Sequence, residues 1–592
     1  MIKAGRALLS QIFRKMRRIY RIIPISHDFR TKLRKLVYRD PKPLMIPRAQ
    51  FIMPGFEWII ENESTEVEIN LQRGVVYSNK PLITLVLPLK KTSFKRLNEL
   101  LQSIKSQSYD NWELFFIHKS IKNAIMIYMQ RRFDKRIRSC YKRKPIINGE
   151  FAGFLKQNYT FAPFALYEIV YSLLENPDTD LIYGDEDCMN DSIRYNPKLK
   201  PEFAPDTLRS FNYIESSFFV RKGLSGYIGE DRDFYEISYF ELLLHISEHA
   251  KKNIHIPKII AHKRYDEDCS TNDVNSYNYN YSEVIQAHIY RYLAINSSVE
   301  YSKENNIYNV IYEVTGAPKV SIIIPNRDLI ERLEPCISSI LNLTTYKNYE
   351  ILIIENNSKE EKTFAYYDKI SELLQINVLK YPDTAFNYQK IINYGIKNTD
   401  AELIVQLNND TEIITPNWLE LMIGYAQRPD VGAVGVKLLY PDMTIQHLGG
   451  ILTKDVYCIT HVNTGIQRHE GGYMNRALIT QNISWVTGAC MMSRKEIYEQ
   501  VGYMDEEYKM VYGDADFCMR VRAMGKEVVI NPHIELIHYE SKTRGSSDTP
   551  EMIYIFSRDN ERFEQKWRLE LSKSDLYFSP NRMRVMEELG MQ

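Results

Sequence analysis

The chain has 592 residues, enough for three or four domains of ordinary size or for two large domains with extensions. Apolar residues make up 44% and charged residues 26%, values that are typical of globular proteins and exclude a disordered or collagen-like chain. The 76 Lys and Arg residues balance the 75 Asp and Glu residues, and a net charge of +1 creates no field that would favour nucleic acid.

The distribution of apolar residues and cysteines indicates whether the protein is membrane-spanning, secreted or cytoplasmic. No run of 18 apolar residues occurs, so the sequence predicts no transmembrane helix. The N-terminus lacks a continuous apolar stretch with a small-residue cleavage site, so we expect no secretory signal. The seven cysteines form no CxxC pair, which is typical of reduced thiols and not of a disulfide framework or a zinc site. These features predict a cytoplasmic protein.

The first 40 residues carry a concentrated positive charge. They contain twelve Lys or Arg and two Asp residues, a formal net charge of +10. Apolar residues recur at helical spacing from Leu9 to Ile23, which predicts a basic amphipathic helix that ends near Pro24. Such a helix can bind an anionic membrane surface, can pack on the body of the protein, or can be an Arg-rich organellar transit peptide.

Two parts of the chain repeat one order of strands and helices. The apolar segment 83–88 is followed by a helical stretch and by the apolar segment 109–117, and the same order starts again at 320–325. Strands of β-branched residues that alternate with helices predict a parallel sheet covered by helices. Between the repeats we predict an ordered connector with a helix at 282–293 and a strand at 309–314.

The repeat predicts an α/β protein with two domains of one fold in tandem. The predicted parts are a basic extension at 1–40, an N-terminal domain at 81–266, a connector at 267–318, a C-terminal domain at 319–546 and a helical extension at 547–592.

The C-terminal repeat contains a polar cluster after an apolar strand. The strand 403–407 runs into Asn408, Asn409 and Asp410. In doubly wound sheets, ligands bind outside the carboxyl ends of the strands. A carboxylate there can hold a hard divalent ion that also takes diphosphate oxygens. The alternative is an ordinary turn.

Two further residues of this repeat carry ionisable side chains at element ends. Asp514 lies in the first turn of a helix predicted over 513–523, where the helix dipole favours acids and where a carboxylate can also accept a proton from a hydroxyl. His538 follows the strand-like segment 534–537. It is either a ligand for a divalent ion or a structural histidine.

Taken together and in this order, these residues resemble the family 2 inverting glycosyltransferases, which have the glycosyltransferase-A fold. The resemblance is strongest to tandem bacterial enzymes of the O-antigen and rhamnan type. The matching stretches are residues 344–358, 407–421, 431–447, 486–506 and 513–521.

The resemblance implies a metal-dependent, inverting transfer with Asp514 as the catalytic base and with Asp410 and His538 as ligands of Mn²⁺ or Mg²⁺. It implies a UDP- or dTDP-linked sugar donor and a glycan or lipid-linked acceptor in cell-surface polysaccharide synthesis. The positions that match the donor site are Pro325, Arg327, Glu355, Asn387, Asn408 and Asn409. The positions that match the sugar and acceptor pocket are Trp485, Thr487, Gly488 and Asp516, with His447 also facing the site.

Alignment of the N-terminal repeat with the C-terminal repeat predicts that the N-terminal domain is degenerate. The replacements are His118 for Glu355, Lys156, Gln157 and Asn158 for residues 408–410, and Tyr239 for Asp514. His262 is expected opposite His538, but a single imidazole is a poor site for a hard ion. The acidic stretch 185–187 either holds an ion or forms a structural turn.

Two other functions compete with glycosyl transfer. A sugar-nucleotide pyrophosphorylase needs a Gly-rich loop after the first strand, whereas here residues 325–328 contain no glycine. A non-catalytic glycan-binding or scaffolding protein does not need Asp410, Asp514 and His538 together.

Overall fold

The structure is a computed structural model. It describes residues 63–90, 94–141, 145–190, 193–215, 218–224, 238–264, 280–454, 457–539 and 549–581. The predicted basic helix within residues 1–40 and the start of the connector lie outside these residues. One unit of the chain, Met53–Gly545 with Ile555–Gln592, contains both sheets described below.

The N-terminal half forms a mixed sheet with helices on it. Its strands are β1 (Ile83–Leu89), β2 (Trp112–His118), β3 (Ile137–Tyr141), β4 (Phe151–Phe154), β5 (Tyr159–Phe161), β6 (Leu181–Asn190), β7 (Ile193–Lys198), β8 (Phe218–Arg221) and β9 (Asn253–Arg264). Its helices are α1 (Glu66–Arg73), α2 (Phe94–Lys105), α3 (Ile121–Phe133), α4 (Ala165–Glu175), α5 (Pro205–Ser210) and α6 (Tyr239–Ser247). The strand order is β3-β2-β1-β4-β8-β6-β9-β5, and β7 pairs with β6.

The connector is ordered over its described residues. It contains α7 (Ser282–Leu293), which has the predicted bounds, and a hairpin of β10 (Ser297–Ser302) and β11 (Ile307–Tyr312). Strand β11 begins two residues before the predicted strand. Buried side chains of the connector belong to one hydrophobic core that also contains residues of both sheets. The connector therefore packs against both halves.

The C-terminal half forms a second mixed sheet. Its elements begin with β12 (Val320–Asn326), α8 (Ile330–Leu343), β13 (Tyr349–Glu355), α9 (Glu361–Ile370), β14 (Ile376–Lys380), α10 (Tyr388–Lys397), β15 (Leu403–Leu407), β16 (Thr411–Ile413) and α11 (Trp418–Ala426). They continue with β17 (Val431–Leu439), β18 (Ile445–His447), β19 (Gly450–Leu452), β20 (Ile459–His461), β21 (Gln481–Asn482), β22 (Cys490–Arg494), α12 (Lys495–Val501), α13 (Gly513–Ala523), β23 (Glu527–His538), α14 (Pro550–Lys566) and α15 (Arg568–Ser572).

The two sheets share one topology. The order β14-β13-β12-β15-β22-β17-β23-β16 matches the N-terminal order strand for strand. In both, the first strand lies parallel between the second and the fourth, and an antiparallel strand, β8 or β22, follows. The predicted internal repeat is therefore present in the structure.

Sequence explains why these strands form. β1 and β12 are runs of apolar residues that are buried almost throughout, as expected for strands covered on both faces. Polar residues gather where the strands end, so the chemistry lies at the edge of the sheet and not within it.

Among the described residues, no helix combines the length and the apolar character needed to cross a bilayer.

Candidate active site

Strand register positions the polar residues at the carboxyl edge of the C-terminal sheet. β12 pairs in parallel with β13 and β15, so these three strands end at one edge. Asp410 precedes β16, and Thr411, the first residue of that strand, pairs with His538 at the end of β23. The backbone N–H of Tyr539 donates to the carbonyl oxygen of Asp410 at 3.0 Å. The pairing of β16 with β23 therefore brings Asp410 and His538 together.

A cavity of about 530 Å³ lies at this edge. The predicted site residues that line it are Asn408, Asp410, His447, Trp485, Thr487, Gly488, Asp514 and His538. Its wall also includes residues that were not predicted as site residues, among them Tyr388, Gln446, Tyr457, His461, Tyr512 and Phe556.

The side chains of Asp410, His538 and Asn408 meet in this cavity. Nε2 of His538 lies 3.2 Å from Oδ1 of Asp410 and 3.2 Å from Nδ2 of Asn408. Asp410 and His538 are both buried. The hydroxyl of Tyr388 donates to Oδ1 of Asn408 at 3.3 Å, which fixes the orientation of that amide.

Gln446 fixes the tautomer of His538. Its Nε2 donates to the carbonyl oxygen of His538 at 3.2 Å, so its Oε1 faces the imidazole and lies 2.6 Å from Nδ1. Because an amide oxygen only accepts, the hydrogen bonds assign the proton to Nδ1 and leave an electron pair on Nε2. Gln446 lies in the stretch 431–447, which already resembled the family, and its neighbour His447 was the signal that could have identified it.

The arrangement fits a divalent cation. The electron pair of Nε2 and a carboxylate oxygen of Asp410 lie 3.2 Å apart, and both are ligand atoms for such an ion. The amide N–H of Asn408, which faces Nε2 in this structure, would turn away when a cation binds. Within the described ranges, no group of three His, Cys, Asp or Glu side chains is placed to hold a metal. A cation here would therefore take its remaining ligands from a bound diphosphate and water, which is how Mg²⁺ usually binds.

Asp514 lines the same cavity from the start of α13. The backbone N–H of Gly488 donates to its Oδ2 at 2.9 Å, and that of Ala515 donates to its Oδ1 at 2.8 Å. Glycine at residue 513 lets the side chain of Gln389 pack against the start of α13, since a Cβ there would lie 2.2 Å from its Nε2. These contacts hold the half-buried carboxylate at the surface of the cavity.

Two histidines and a tryptophan form one wall of the cavity. Nε2 of His447 accepts from the backbone N–H of Thr487 at 3.2 Å, so its Nδ1 carries the proton and donates to Nδ1 of His461 at 2.7 Å. Burial lowers the pKa of His447 well below its usual value, and His461 and His538 lower it further. The rings of both histidines pack on Trp485, with centroids 5.5 and 4.9 Å away. This wall is therefore neutral and aromatic.

Aromatic side chains also surround the mouth of the cavity. Tyr457 is 62% exposed and Phe556 is 43% exposed, although both are large and apolar. The ring of Phe556 packs edge-on against Tyr457 and Tyr512, with centroids 6.3 and 6.0 Å apart. The hydroxyl of Tyr512 donates to the carbonyl oxygen of Tyr457 at 2.9 Å. These rings present flat apolar faces next to the polar interior.

Residues 321–502 match the family model described as Glycosyl transferase family 2. The chain carries a family 2 glycosyltransferase domain. The α/β, glycosyltransferase-A-like fold class that the sequence predicted is thereby confirmed.

The similarity to other proteins extends beyond residues 321–502. The O-antigen biosynthesis protein RfbC of Myxococcus xanthus is 30% identical over 563 residues, which cover 90% of this chain and 43% of that protein. The uncharacterized protein y4gI of Sinorhizobium fredii is 30% identical over 527 residues, which cover 85% of this chain and 58% of that protein. The chain thus spans about half the length of these relatives. Among solved structures, that of GalNAc-T7 with UDP, GalNAc and Mn²⁺ is similar with a TM-score of 0.38 and 13% identity, over 46% of this chain and 53% of that one.

Two predicted site residues of the C-terminal half, Asp516 and Asn387, lie outside the lining of the cavity with their polar atoms held by the protein. Asp516 is fully buried, and its carboxylate is held by Arg520 at 2.7 Å, Lys566 at 2.7 Å and Trp567 at 3.0 Å. The prediction that Asp516 belongs to the acceptor pocket is therefore wrong. Two residues along a helix are separated by about 200° of rotation, so Asp514 and Asp516 point to opposite sides.

The other residue is Asn387, which caps α10. Its Oδ1 accepts from the backbone N–H of Lys390 at 3.0 Å, and its Nδ2 donates to the carbonyl oxygen of Glu506 at 2.7 Å. Both ends of the amide are thus used within the protein, and Asn387 holds the start of α10 outside the lining of the cavity.

The remaining predicted donor residues lie at the same edge of the sheet, beside the cavity. Glu355 accepts from the backbone N–H of Ser358 at 2.5 Å, and Asn409 donates to Oδ1 of Asn326 at 2.5 Å. Arg327 is exposed after β12, and Pro325 is partly buried in that strand. These residues are close in the fold, but their contact with a donor stays a prediction.

The N-terminal edge differs from the edge of the family 2 domain. The register of β1 with β4 places Lys156, Gln157 and Asn158 where Asn408, Asn409 and Asp410 follow β15, as predicted. Tyr239 opens α6, and its hydroxyl donates to the carbonyl oxygen of Leu155 at 2.8 Å. A buried tyrosine therefore occupies the end of β4.

One predicted correspondence in this half is wrong. Tyr159 is equivalent to Thr411, which pairs with His538. Tyr159 pairs with Lys263, whereas His262 pairs with the next residue, Thr160. Lys263 therefore takes the place of His538, and its ammonium group lies 3.6 Å from Oε2 of Glu215. His262 instead bonds to Asp187 at 2.7 Å. A shift of one residue in a strand moves a side chain to the other face of the sheet.

The acidic stretch 185–187 lies within β6 and not in a turn. Its three carboxylates are buried and paired inside this half: Asp185 with the backbone N–H of Lys200 and with His255, Glu186 with Lys200, and Asp187 with Arg194 and His262. These contacts favour the structural interpretation of this stretch.

Proposed function

We propose that the C-terminal half transfers a sugar from a nucleotide-sugar to a hydroxyl group of a glycan or lipid-linked acceptor in polysaccharide synthesis, with inversion at the anomeric carbon. The observation that carries the proposal is that one cavity is lined by Asp514 and by the neighbouring pair Asp410 and His538. An in-line displacement requires a base for the acceptor and a group that offsets the charge of the leaving diphosphate, and both can act on a substrate bound in one cavity.

Asp514 is proposed as the general base. Its carboxylate is oriented by two backbone N–H groups, and it faces the cavity where an acceptor hydroxyl would lie. Removal of that proton makes the oxygen a better nucleophile, which attacks the anomeric carbon from the face opposite the diphosphate. No covalent intermediate with the protein is needed.

Asp410 and His538, with Asn408 beside them, are proposed to hold a divalent cation, Mn²⁺ or Mg²⁺. When bound, the cation would offset the negative charge on the diphosphate leaving group. Gln446 keeps the electron pair of Nε2 directed at this position. Pro325, Arg327, Glu355 and Asn409 are proposed to contact the nucleoside of a UDP- or dTDP-linked donor.

The aromatic mouth supports a carbohydrate acceptor. Sugar rings have apolar C–H faces that pack on exposed aromatic rings, and Tyr457 and Phe556 offer two such rings at the entrance to the site. The neutral wall formed by His447, His461 and Trp485 continues this surface inward.

We further propose that the predicted domain bounds hold, that the N-terminal domain is non-catalytic, and that the protein is cytoplasmic with residues 1–40 on the inner face of the cell membrane. Sedimentation with anionic vesicles tests the last point. Equal sedimentation of the full chain and of a chain that lacks residues 1–40 would contradict it.

The test of the proposed function is a panel of UDP- and dTDP-sugars, incubated with Mn²⁺, with Mg²⁺ or with EDTA. We expect release of the nucleoside diphosphate from one donor, faster with an acceptor and abolished by EDTA. Release of pyrophosphate from a nucleoside triphosphate and a sugar phosphate would instead identify a pyrophosphorylase. Glycan binding without turnover of any donor would identify a non-catalytic protein.

A further inference from the structure

The segment from Asn482 to Gly488 connects two parts of the molecule. At one end, Trp485, Thr487 and Gly488 line the cavity, and the backbone N–H of Gly488 bonds to Asp514 at 2.9 Å. At the other end, Asn482 lies in β21, which pairs with β23. The position of the proposed base therefore depends on how this short segment is held.

The N-terminal half holds the far end of the segment. Oδ1 of Asn482 accepts from the backbone N–H groups of Asp206 at 2.8 Å and Thr207 at 3.3 Å. In return, the backbone N–H of Asn482 donates to Oγ1 of Thr207 at 3.2 Å. All three residues are buried.

These bonds provide acceptors for backbone N–H groups of α5, a helix that has no capping side chain of its own. Helix α5 begins after Ala204, which offers no capping side chain, and has proline in its first turn. The N–H groups of the first turn of a helix need acceptors, because no intrahelical carbonyl reaches them. Asn482 of the C-terminal half supplies that acceptor, so the cap of α5 is also the attachment point of the cavity segment.

Buried charges reinforce the same contact. The carboxylate of Asp206 bonds to Arg428 at 2.5 Å and to Arg209 at 3.1 Å, and Nδ2 of Asn482 donates to it at 3.1 Å. Burial alone would raise the pKa of Asp206, but the guanidinium groups of Arg428 and Arg209 hold it below its usual value. The contact is therefore an ionised, fully desolvated pair across the two halves.

We propose that the N-terminal half, through Asp206 and Thr207, positions the segment 482–488 and thereby the carboxylate of Asp514. In this proposal the N-terminal half has no catalytic residues of its own but contributes to catalysis because α5 positions the segment. The consequence for turnover rests on the proposed function, whereas the restraint on the segment does not.

The direct test exchanges Thr207 for valine and, as its matched control, for serine. Valine keeps the shape but removes the acceptor for the N–H of Asn482, whereas serine retains it. For Thr207→Val we expect amide hydrogen exchange in residues 483–488 to accelerate about tenfold, the effect of one lost hydrogen bond. We expect kcat for transfer to fall by a similar factor with the donor KM unchanged, and Thr207→Ser to restore both.

A second pair separates positioning from general loss of stability. Asp206→Asn weakens the contact between the halves, whereas Asp187→Asn breaks a buried pair with Arg194 at 2.6 Å that lies within the N-terminal half. We expect faster exchange in 483–488 only for Asp206→Asn. Unchanged exchange there in both Thr207→Val and Asp206→Asn, or faster exchange with unchanged kcat, would overturn the proposal. If no donor is turned over by the wild type, the proposed function fails, while the exchange data still decide on the restraint.

Discussion

The two sheets have one strand order, yet the side chains at their carboxyl edges differ in kind. After β15 the chain continues with Asn408 and Asp410, and at the equivalent place after β4 it continues with Lys156 and Asn158. His538 at the end of β23 corresponds to Lys263 in β9. The C-terminal edge thus gathers groups that attract a cation, whereas the N-terminal edge carries ammonium groups.

This difference shows how separable fold and chemistry are in such sheets. The apolar interiors of β1 and β12 are buried in the same way and set the same topology. In the proposed function, a few residues at the strand ends decide whether a metal can bind, because a carboxylate and a neutral imidazole can ligate a divalent ion and a protonated lysine cannot. Pairs of equivalent positions in the two halves therefore provide matched experiments.

The largest expected effect comes from Asp514→Asn. An amide cannot accept the acceptor proton, and loss of a general base typically lowers the rate by ~10²–10⁴. Donor binding should persist, because Asp514 is proposed to act on the acceptor. Transfer kinetics together with calorimetric titration of the donor nucleotide measure both. The control is Asp516→Asn on the same helix, which should lower thermal stability but retain kcat in the folded fraction.

The next effect concerns Asp410→Ala and His538→Ala. Each variant removes one of two protein ligands, so we expect Mn²⁺-dependent binding of a nucleoside diphosphate to weaken by two orders of magnitude or more, roughly the loss of one charge-assisted contact to the ion. Titration of UDP or dTDP with and without Mn²⁺ measures this. Undiminished, metal-independent binding in either variant would contradict the metal site.

Gln446 offers a finer version of the same experiment. Gln446→Leu removes the acceptor of the His538 proton, and loss of such an orienting group typically lowers metal affinity by ~10–100-fold. Gln446→Glu keeps an acceptor at that place and should lose less. Equal losses in the two variants would mean that Gln446 acts through packing and not through the tautomer of His538.

Sequence reasoning predicted Asp410, Asp514 and His538 as site residues, because each lies at the end or start of an element and their order resembles the family, and all three line one cavity. It missed Gln446, since its role depends on a bond to His538, which is distant in the chain. It placed Asp516 in the pocket although the helical rotation between 514 and 516 argues against this. The choice of His262 over Lys263 was an error of one residue, which only the pairing of β5 with β9 resolves.

A smaller effect is expected at the aromatic mouth. Tyr457→Ala and Phe556→Ala each remove one exposed ring, and aromatic contacts are worth about 0.5–1.5 kcal/mol, which corresponds to roughly a 2–10-fold rise in the acceptor KM. The donor KM should stay constant. Tyr290→Ala, which removes an exposed ring on α7, is the control. A change in the donor KM alone would assign these rings to the donor site.

The smallest effect is expected at the N-terminal edge, where Asn158→Ala is the counterpart of Asp410→Ala. Asn158 is followed by β5, which pairs with Lys263, and the ammonium group of Lys263 is near Glu215. We expect no divalent ion there, so Asn158→Ala should leave metal-dependent donor turnover unchanged. Tyr239→Phe removes the hydroxyl that donates to the carbonyl oxygen of Leu155 and, more weakly, to that of Val86, which should lower stability by about 1 kcal/mol and leave donor turnover unchanged. Product analysis of Asp514→Asn completes the comparison: a surviving second linkage in that variant, lost on Asn158→Ala, would show that the N-terminal half is an active centre. Complete loss of transfer in Asp514→Asn, with a native circular dichroism spectrum, leaves the C-terminal cavity as the source of the activity and the N-terminal sheet as its support.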